Sequence, residues 1–306
     1  MLLDLFNRPI YNLRISVTSK CNLKCFYCHS EGIEEKDNEE LSIQDLMAIA
    51  RLAASYEVKT VKLTGGEPLL RSDIVEVVNS LYSMKKFIEI SMVTNGSLLK
   101  QYALELKTAG LKRVNVSLPT LDREKFKRIT GGELEPVLEG IKEAVEVGLN
   151  PVKINMVLLK GINGEEIDSM IAYSVASGTL LQIIELEPVR ISSKLFTTYH
   201  EPIDSLEEKL AKLSKSIYYR DDMHKRKIFE LDSTRVEVVH PIENTEFCSH
   251  CNRLRVTYDG FFKPCLMVSD NHVDARRCLE TRDYHALRSA FLKAVTLRKP
   301  FCIDQC

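Results

Sequence analysis

Six short stretches before residue 190 are built largely of apolar and β-forming residues, and several alternate apolar with polar positions. NLRISV (12–17), VKTVKL (58–63), IEISMV (88–93), KRVNVSL (112–118), PVKINMVLL (151–159) and TLLQIIEL (179–186) read as strands. Segments near 41–55, 72–84, 97–109, 133–147 and 164–177 read as the helices between them. Strands alternating with helices predict an α/β fold with a parallel sheet, either open or curled into a partial barrel. The pattern changes after 190: SSKLFTTYHEP reads as loop, 203–216 as helix and 225–240 as a β-hairpin, before a cysteine-bearing segment with a Tyr258-Asp259-Gly260 turn. This divides the chain into a 1–190 α/β domain and a 191–306 extension, with the boundary falling between 190 and 235.

Parallel strands covered by helices on both faces are expected to be apolar throughout. Several here are not. Leu13, Ile15 and Val17 share one face while Arg14 and Ser16 share the other; Thr60, Lys62 and Thr64 fall together, as do Asn115 with Ser117 and Lys153 with Asn155. Successive side chains point to opposite faces of a strand. Helices must cover the apolar face, so the polar face lines solvent or a barrel lumen. In a lumen, Arg14, Lys62 and Lys153 would meet, and burying three cations together is costly without an anion. That points to an anionic, for example phosphorylated, ligand.

Net charge is −1 from 42 basic and 43 acidic residues, so no global field marks a nucleic-acid or membrane binder. MLLDLFNRPI has an early Asp and no apolar h-region, which reads as no signal peptide, and no run of about 18 apolar residues occurs. These features predict a soluble, cytoplasmic protein. Its nine cysteines then read as metal ligands rather than disulfides.

Cys21, Cys25 and Cys28 form a C-x3-C-x2-C group in the loop after the first strand. Ligands in α/β folds gather at the carboxyl ends of strands. Three thiolates can hold three irons of a [4Fe–4S] cluster and leave the fourth open. A zinc site with His29 as fourth ligand is the alternative. Thr64-Gly65-Gly66-Glu67-Pro68 ends the second strand, and paired glycines permit close backbone approach to a ligand. Cys248, Cys251 and Cys265 form a second group spaced C-x2-C-x13-C. It reads as a second cluster with an open iron, or as a zinc ribbon completed by His250 or Cys278. Arg253 and Arg255 lie between its ligands, two apart, so both face one way on an extended strand. Such a guanidinium pair suits phosphate.

The first cysteine group with the GGEP turn resembles the radical S-adenosylmethionine (SAM) superfamily. Over nearly its whole length the chain resembles one family within it, the GTP 3′,8-cyclases of molybdenum-cofactor biosynthesis. NRPIYNLRISVTSKCNLKCFYC, VKLTGGEPLLR, VTNGSLL, AGLKRVNVSL, KINMVLLKGIN and FCSHCNRLRVTYDGFFKPCL carry the likeness. The resemblance implies a partial (β/α)6 barrel of the TIM type, its open side closed by the C-terminal cluster segment. It implies two [4Fe–4S] clusters, on Cys21, Cys25 and Cys28 and on Cys248, Cys251 and Cys265. SAM would complete the open iron of the first and lie along Tyr27, Gly66 and Ser117. Splitting SAM would give a 5′-deoxyadenosyl radical that takes the 3′ hydrogen of GTP, after which C3′ attacks guanine C8. GTP would bind Arg14, Lys62, Lys153, Arg253 and Arg255, its guanine on the second cluster's open iron, with Arg14, Arg253 and Arg255 as the catalytic residues. Implied partners are GTP, an electron donor and a downstream cyclic pyranopterin monophosphate synthase; a homodimer is allowed.

The chain departs from the family pattern at Gln182 (often Arg), Glu187 (often Met), Val93 (a common Thr) and Leu118-Pro119 (Leu-Asp). It ends Cys302-Ile-Asp-Gln-Cys306 where many bacterial members have a Gly-Gly tail. Cys278, Cys302 and Cys306 read as ordinary thiols. Two other functions compete. A twin-cluster enzyme modifying a peptide leaves the inward cations unexplained, and a zinc-binding interaction protein leaves GGEP unexplained.

Overall fold

The computed structural model describes residues 1–33, 39–220 and 223–301. Six strands lie side by side in chain order, all parallel: β1 (Asn12–Ser16), β2 (Thr60–Thr64), β3 (Glu89–Thr94), β4 (Arg113–Ser117), β5 (Val152–Val157) and β6 (Leu180–Ile184). Their apolar face carries Leu13, Ile15, Val61, Leu63, Ile90, Met92, Val114, Val116, Ile154, Met156, Leu181 and Ile183, all buried in one core. Burying each such side chain contributes about 1.5–3 kcal/mol. The helices Ile43–Ser55, Ile74–Ser83, Leu99–Thr108, Glu135–Glu146 and Ile167–Ala176 come where periodicity predicts them. The first starts at a capping box in which Ser42 and Asp45 satisfy each other's amides.

The C-terminal part extends this sheet at both edges. β7 (Ser216–Tyr219), β8 (Lys227–Glu230) and β9 (Arg235–Val239) form an antiparallel ribbon whose last strand pairs parallel with β6. β10 (Arg253–Val256) pairs parallel with β1 and carries β11 (Phe261–Lys263) and β12 (Val273–Asp274) beyond it. The sheet is open, as a partial barrel is. Its two flanks meet across the open side: the His224 amide donates to the His250 carbonyl at 2.9 Å, and the His224 and Phe247 rings stack 3.8 Å apart. No helix among the described residues is long and apolar enough to cross a membrane.

Three local expectations are corrected. The 192–202 stretch contains a helix, Ser193–Tyr199, not only loop. Ser192 caps it, and Phe196 and Tyr199 pack on Phe26 and Leu186, so tertiary contact outweighs its weak Thr-rich propensity. The predicted 203–216 helix ends at Leu213, and 216–219 is the strand β7. A further helix, Arg123–Thr130, stops at Gly131, whose φ of 72° suits a residue without Cβ.

Candidate functional site

Cys21, Cys25 and Cys28 follow β1 at its carboxyl end and line a large cavity inside the curved sheet. Their loop is pinned by the Arg123–Thr130 helix: the Lys24 and Phe26 amides donate to the Thr130 and Ile129 carbonyls at 2.8 and 3.1 Å. Burial, then the neighbouring Cys28 and Cys21, pushes the Cys25 thiol up to about 12. Three thiolates gathered here therefore need a positive centre. His29 does not join them: its Nδ1 accepts from the Glu31 amide at 3.0 Å and its Nε2 faces Glu187 at 4.0 Å. Among the described residues no three of His, Cys, Asp and Glu are gathered closely enough for a single metal ion. An all-sulfur set of three, spread around a wider space, fits a cluster whose irons each take one thiolate.

The glycine turn has a structural reason that spacing alone does not reveal. A Cβ on Gly66 would stand 2.2 Å from the Lys20 carbonyl oxygen, and one on Gly65 2.4 Å from that of Thr18. The turn is thus pressed against the start of the cysteine loop. Glu67 is fully buried, accepting from the Thr94 hydroxyl at 2.6 Å and the Asn95 amide at 2.6 Å. Gly66, Tyr27 and Ser117 all line the cavity beside the cysteines.

Strand parity places Arg14, Lys62 and Lys153 on the cavity side, and Arg253 and Arg255 join them. Arg255, Arg14 and Lys62 stand side by side in register across β10, β1 and β2. The protein supplies some of the needed anions itself. Glu31 accepts from Arg14 Nε at 2.8 Å and from Arg255 Nη1 at 2.9 Å. Burial alone would raise the Glu31 carboxyl, but Arg14 and then Arg255 hold it well below the usual range. Lys153 pairs with Glu237, which also accepts from Arg226 at 2.8 Å and Arg220 at 3.2 Å. Lys62 differs. It is buried, bonds Asn115 Oδ1 at 3.2 Å, and has no ion-pair partner among the described residues. Burial, then Arg113, Arg14 and Arg253, lowers its ammonium well below the ordinary lysine value. Arg253 bonds Asn12 Oδ1 at 3.2 Å and has no carboxylate partner among the described residues.

Cys248, Cys251 and Cys265 line the same cavity. Their loop is tied to both ends of the chain: Arg8 Nη1 donates to the Cys248 carbonyl at 3.0 Å and Arg298 Nη2 to that of Cys251, while Asp4 accepts from Arg8 and forms an ion pair with Arg298. Cys278 is no member of this group; it packs against the core from the Arg276–Glu280 helix. Cys302 and Cys306 lie outside the described residues. Sequence reasoning missed Glu31, Glu237, Arg220 and Arg226. Only Glu237 carried a signal, as a charge on a strand between apolar neighbours.

A family model described as Radical SAM superfamily matches residues 15–173, and one described as Molybdenum Cofactor Synthesis C matches 179–302. The chain is 43% identical over 298 residues to the probable GTP 3′,8-cyclase of Methanococcus aeolicus, covering 97% of this chain and 98% of that protein. It is 45% identical over 303 residues to the protein of that name from Methanocella arvoryzae, covering 98% and 94%. Among solved structures, Streptococcus suis SuiB bound to S-adenosylmethionine superposes with a TM-score of 0.68 at 21% identity, over 92% of this chain and 68% of that one, a likeness of fold. With near-full-length identity above two-fifths and both family models matched, the chain belongs to the GTP 3′,8-cyclase family of the radical SAM superfamily.

Proposed function

We infer that this chain is a GTP 3′,8-cyclase, a radical SAM lyase that converts GTP to (8S)-3′,8-cyclo-7,8-dihydroguanosine 5′-triphosphate, the first step of molybdopterin biosynthesis. The observation that supports this best is one cavity lined by two three-cysteine groups and by Arg14, Lys62, Lys153, Arg253 and Arg255. Cys21, Cys25 and Cys28 would hold one [4Fe–4S] cluster and Cys248, Cys251 and Cys265 the other. A cluster held there with SAM would supply the electron for reductive cleavage of SAM to methionine and a 5′-deoxyadenosyl radical. Tyr27, Gly66 and Ser117 hold SAM at the carboxyl ends of the strands. The five cations hold the triphosphate, with Arg14, Arg253 and Arg255 nearest the reacting end. We assign residues 1–190 to the catalytic barrel and 191–306 to the extension that carries the second cluster. An intracellular electron donor, and cyclic pyranopterin monophosphate synthase as the next enzyme, complete the proposal; a homodimer is compatible with it. A peptide-modifying enzyme of similar fold would leave unexplained Lys62 and Arg253, which have no carboxylate partner among the described residues of the lumen.

Hydrogen transfer requires reacting atoms roughly 3–3.5 Å apart, so the ribose must lie against SAM's 5′ carbon. GTP deuterated at C3′ is expected to deliver deuterium into 5′-deoxyadenosine during anaerobic turnover, read by mass spectrometry. Label arriving instead from C2′ or C4′ would overturn the cyclase reading. SAM cleavage on a peptide, with no label from any GTP position, would favour the peptide enzyme.

GTP binding is also expected to take up protons. Burial lowers Lys153 to about 8 despite Glu237. Phosphate favours the charged ammonium and raises that value, so affinity falls as pH rises through 8 and beyond. Calorimetry in buffers of different ionisation enthalpy measures the uptake; a pH-independent affinity between 7 and 9.5 would contradict it.

A further inference from the structure

Glu31 follows Cys28 by three residues and is buried, and its carboxylate is filled by side chains of three different elements. Oε1 accepts from Arg14 Nη2 at 2.5 Å and from the Thr64 hydroxyl at 2.9 Å. Oε2 accepts from Arg14 Nε at 2.8 Å and from Arg255 Nη1 at 2.9 Å. An ionised carboxylate has about four acceptor sites, so these four donors leave none for a ligand. The arginines, by contrast, are only half used. Arg14 Nη1 and Arg255 Nε and Nη2 make no hydrogen bond among the described residues, and none is shut off from solvent. Each guanidinium is gripped along one edge by Glu31 while the side chain lines the cavity. Arg14 and Arg255 are register partners on β1 and β10, so two like charges stand side by side. Glu31 is the carboxylate they share, with Glu187 a weaker opposing charge to both.

The backbone that presents Glu31 has a form of its own. Ser30, Glu31 and Gly32 have φ of 45°, 54° and 66°, three successive residues in the left-handed region. Strained backbone of this kind persists only where its surroundings hold it. Here the His29 ring holds it from one side, Nδ1 accepting from the Glu31 amide at 3.0 Å. On the other side a Cβ at Gly32 would stand 2.7 Å from the Leu266 carbonyl oxygen. The turn therefore continues directly from Cys28 and is wedged against the residue after Cys265. One short turn touches both cysteine loops and carries the carboxylate that holds the two arginines between them.

We propose that Glu31 is a positioning residue: it locks Arg14 and Arg255 together and fixes that pair to the turn joining the two cysteine loops, so that the nucleotide the arginines bind presents its ribose to the radical formed beside Cys21, Cys25 and Cys28. This rests on the GTP reading above. Glu31 itself touches no substrate, since its oxygens are fully used. Its charge works against a polyanion in the cavity, so its contribution lies in geometry and not in affinity.

Two variants of the anaerobically reconstituted protein test this, each measured for GTP affinity, for melting temperature, and for cyclised nucleotide formed per 5′-deoxyadenosine. Glu31→Gln keeps the shape but loses the charge and turns an amide donor toward the guanidiniums. Glu31→Asp keeps the charge but is one methylene too short to reach both arginines. Both are expected to bind GTP within about threefold of the parent, or more tightly, while cyclised nucleotide per 5′-deoxyadenosine falls about tenfold or more, because small misplacements at a reacting centre cost large factors in rate. Full coupling in Glu31→Asp would mean that only the charge matters. Tighter GTP binding with coupling intact in Glu31→Gln would make Glu31 a mere competitor for the arginines. Affinity and coupling lost together, with a lower melting temperature, would make it a support of the fold. Each of these three results overturns the proposal. If Glu31→Gln does not fold, Glu31→Asp decides by the same ratio. A parent protein that forms no cyclised nucleotide from GTP overturns the GTP reading itself, a result separate from any property of Glu31.

Discussion

Alanine at Cys21, Cys25 or Cys28 is expected to abolish SAM cleavage, lowering 5′-deoxyadenosine formed under dithionite by roughly 10³-fold or more, as when one member of an obligate catalytic unit is lost. The loop offers three sulfurs and no spare donor. His29 is turned to Glu31 and Glu187, and the Asn95 amide nitrogen approaches Cys21 sulfur at 3.9 Å as a donor, not a ligand. Losing one thiol leaves two for a group that needs three. Alanine at Cys248, Cys251 or Cys265 should behave otherwise. Those residues sit on the loop between β9 and β10 and after β11, with supports of their own in Arg8 and Arg298. SAM cleavage should continue, uncoupled, while the cyclised nucleotide disappears. Iron and acid-labile sulfide should fall by about half in each set, since each site holds one of two clusters. Normal SAM cleavage in the Cys21, Cys25 or Cys28 variants would remove the first site from the reaction. Loss of SAM cleavage in both sets, with the fold intact, would mean that the two groups do not act separately.

The sheet was legible because period-two alternation is a property of the strands themselves. Arg14, Lys62 and Lys153 face the cavity as parity requires, and all six clustered cysteines line it. The missing parts depend on contacts between distant segments. Glu31 lies 17 residues from Arg14 and 224 from Arg255, and nothing local to it signals a partner for either. Glu237 meets Lys153 across 84 residues. The expectation that three inward cations demand a foreign anion is correspondingly narrowed: Arg14 and Lys153 pair with carboxylates of the protein's own, and Lys62 has no ion pair among the described residues. The helix Ser193–Tyr199 was illegible for a related reason. Its stability comes from Tyr199 packing on Phe26, 4.9 Å between ring centres, not from its own residues.

That difference between the lysines sets opposite expectations for two variants. Lys62 is buried near Arg113, Arg14 and Arg253, bonds only a neutral amide and has Glu89 as a weaker opposing charge, so without ligand it must lose its proton or carry a charge that is only partly compensated. Either course destabilises the folded state relative to a chain in which the lysine is hydrated and charged. Lys62→Met should therefore raise the ligand-free melting temperature, by about 2–4 °C for each 1 kcal/mol relieved. Because the folded value lies below the unfolded one, the parent gains stability as pH rises toward 10.5, and the gap between variant and parent narrows over that range. GTP binding should move the other way, weakening by about 1.5–3 kcal/mol as a charge-assisted bond to phosphate is lost. Arg253→Ala, which removes a second lumen cation with no carboxylate partner among the described residues, should cost GTP affinity on the same scale and leave SAM affinity nearly unchanged. Lys153→Met breaks the pair with Glu237 and should lower the melting temperature as well as GTP affinity. Thermal denaturation of the ligand-free protein beside GTP titration separates the cases. A Lys62→Met protein that melts lower than its parent would show that Lys62 is compensated within the fold, and the case for a lysine held in readiness for phosphate would fail.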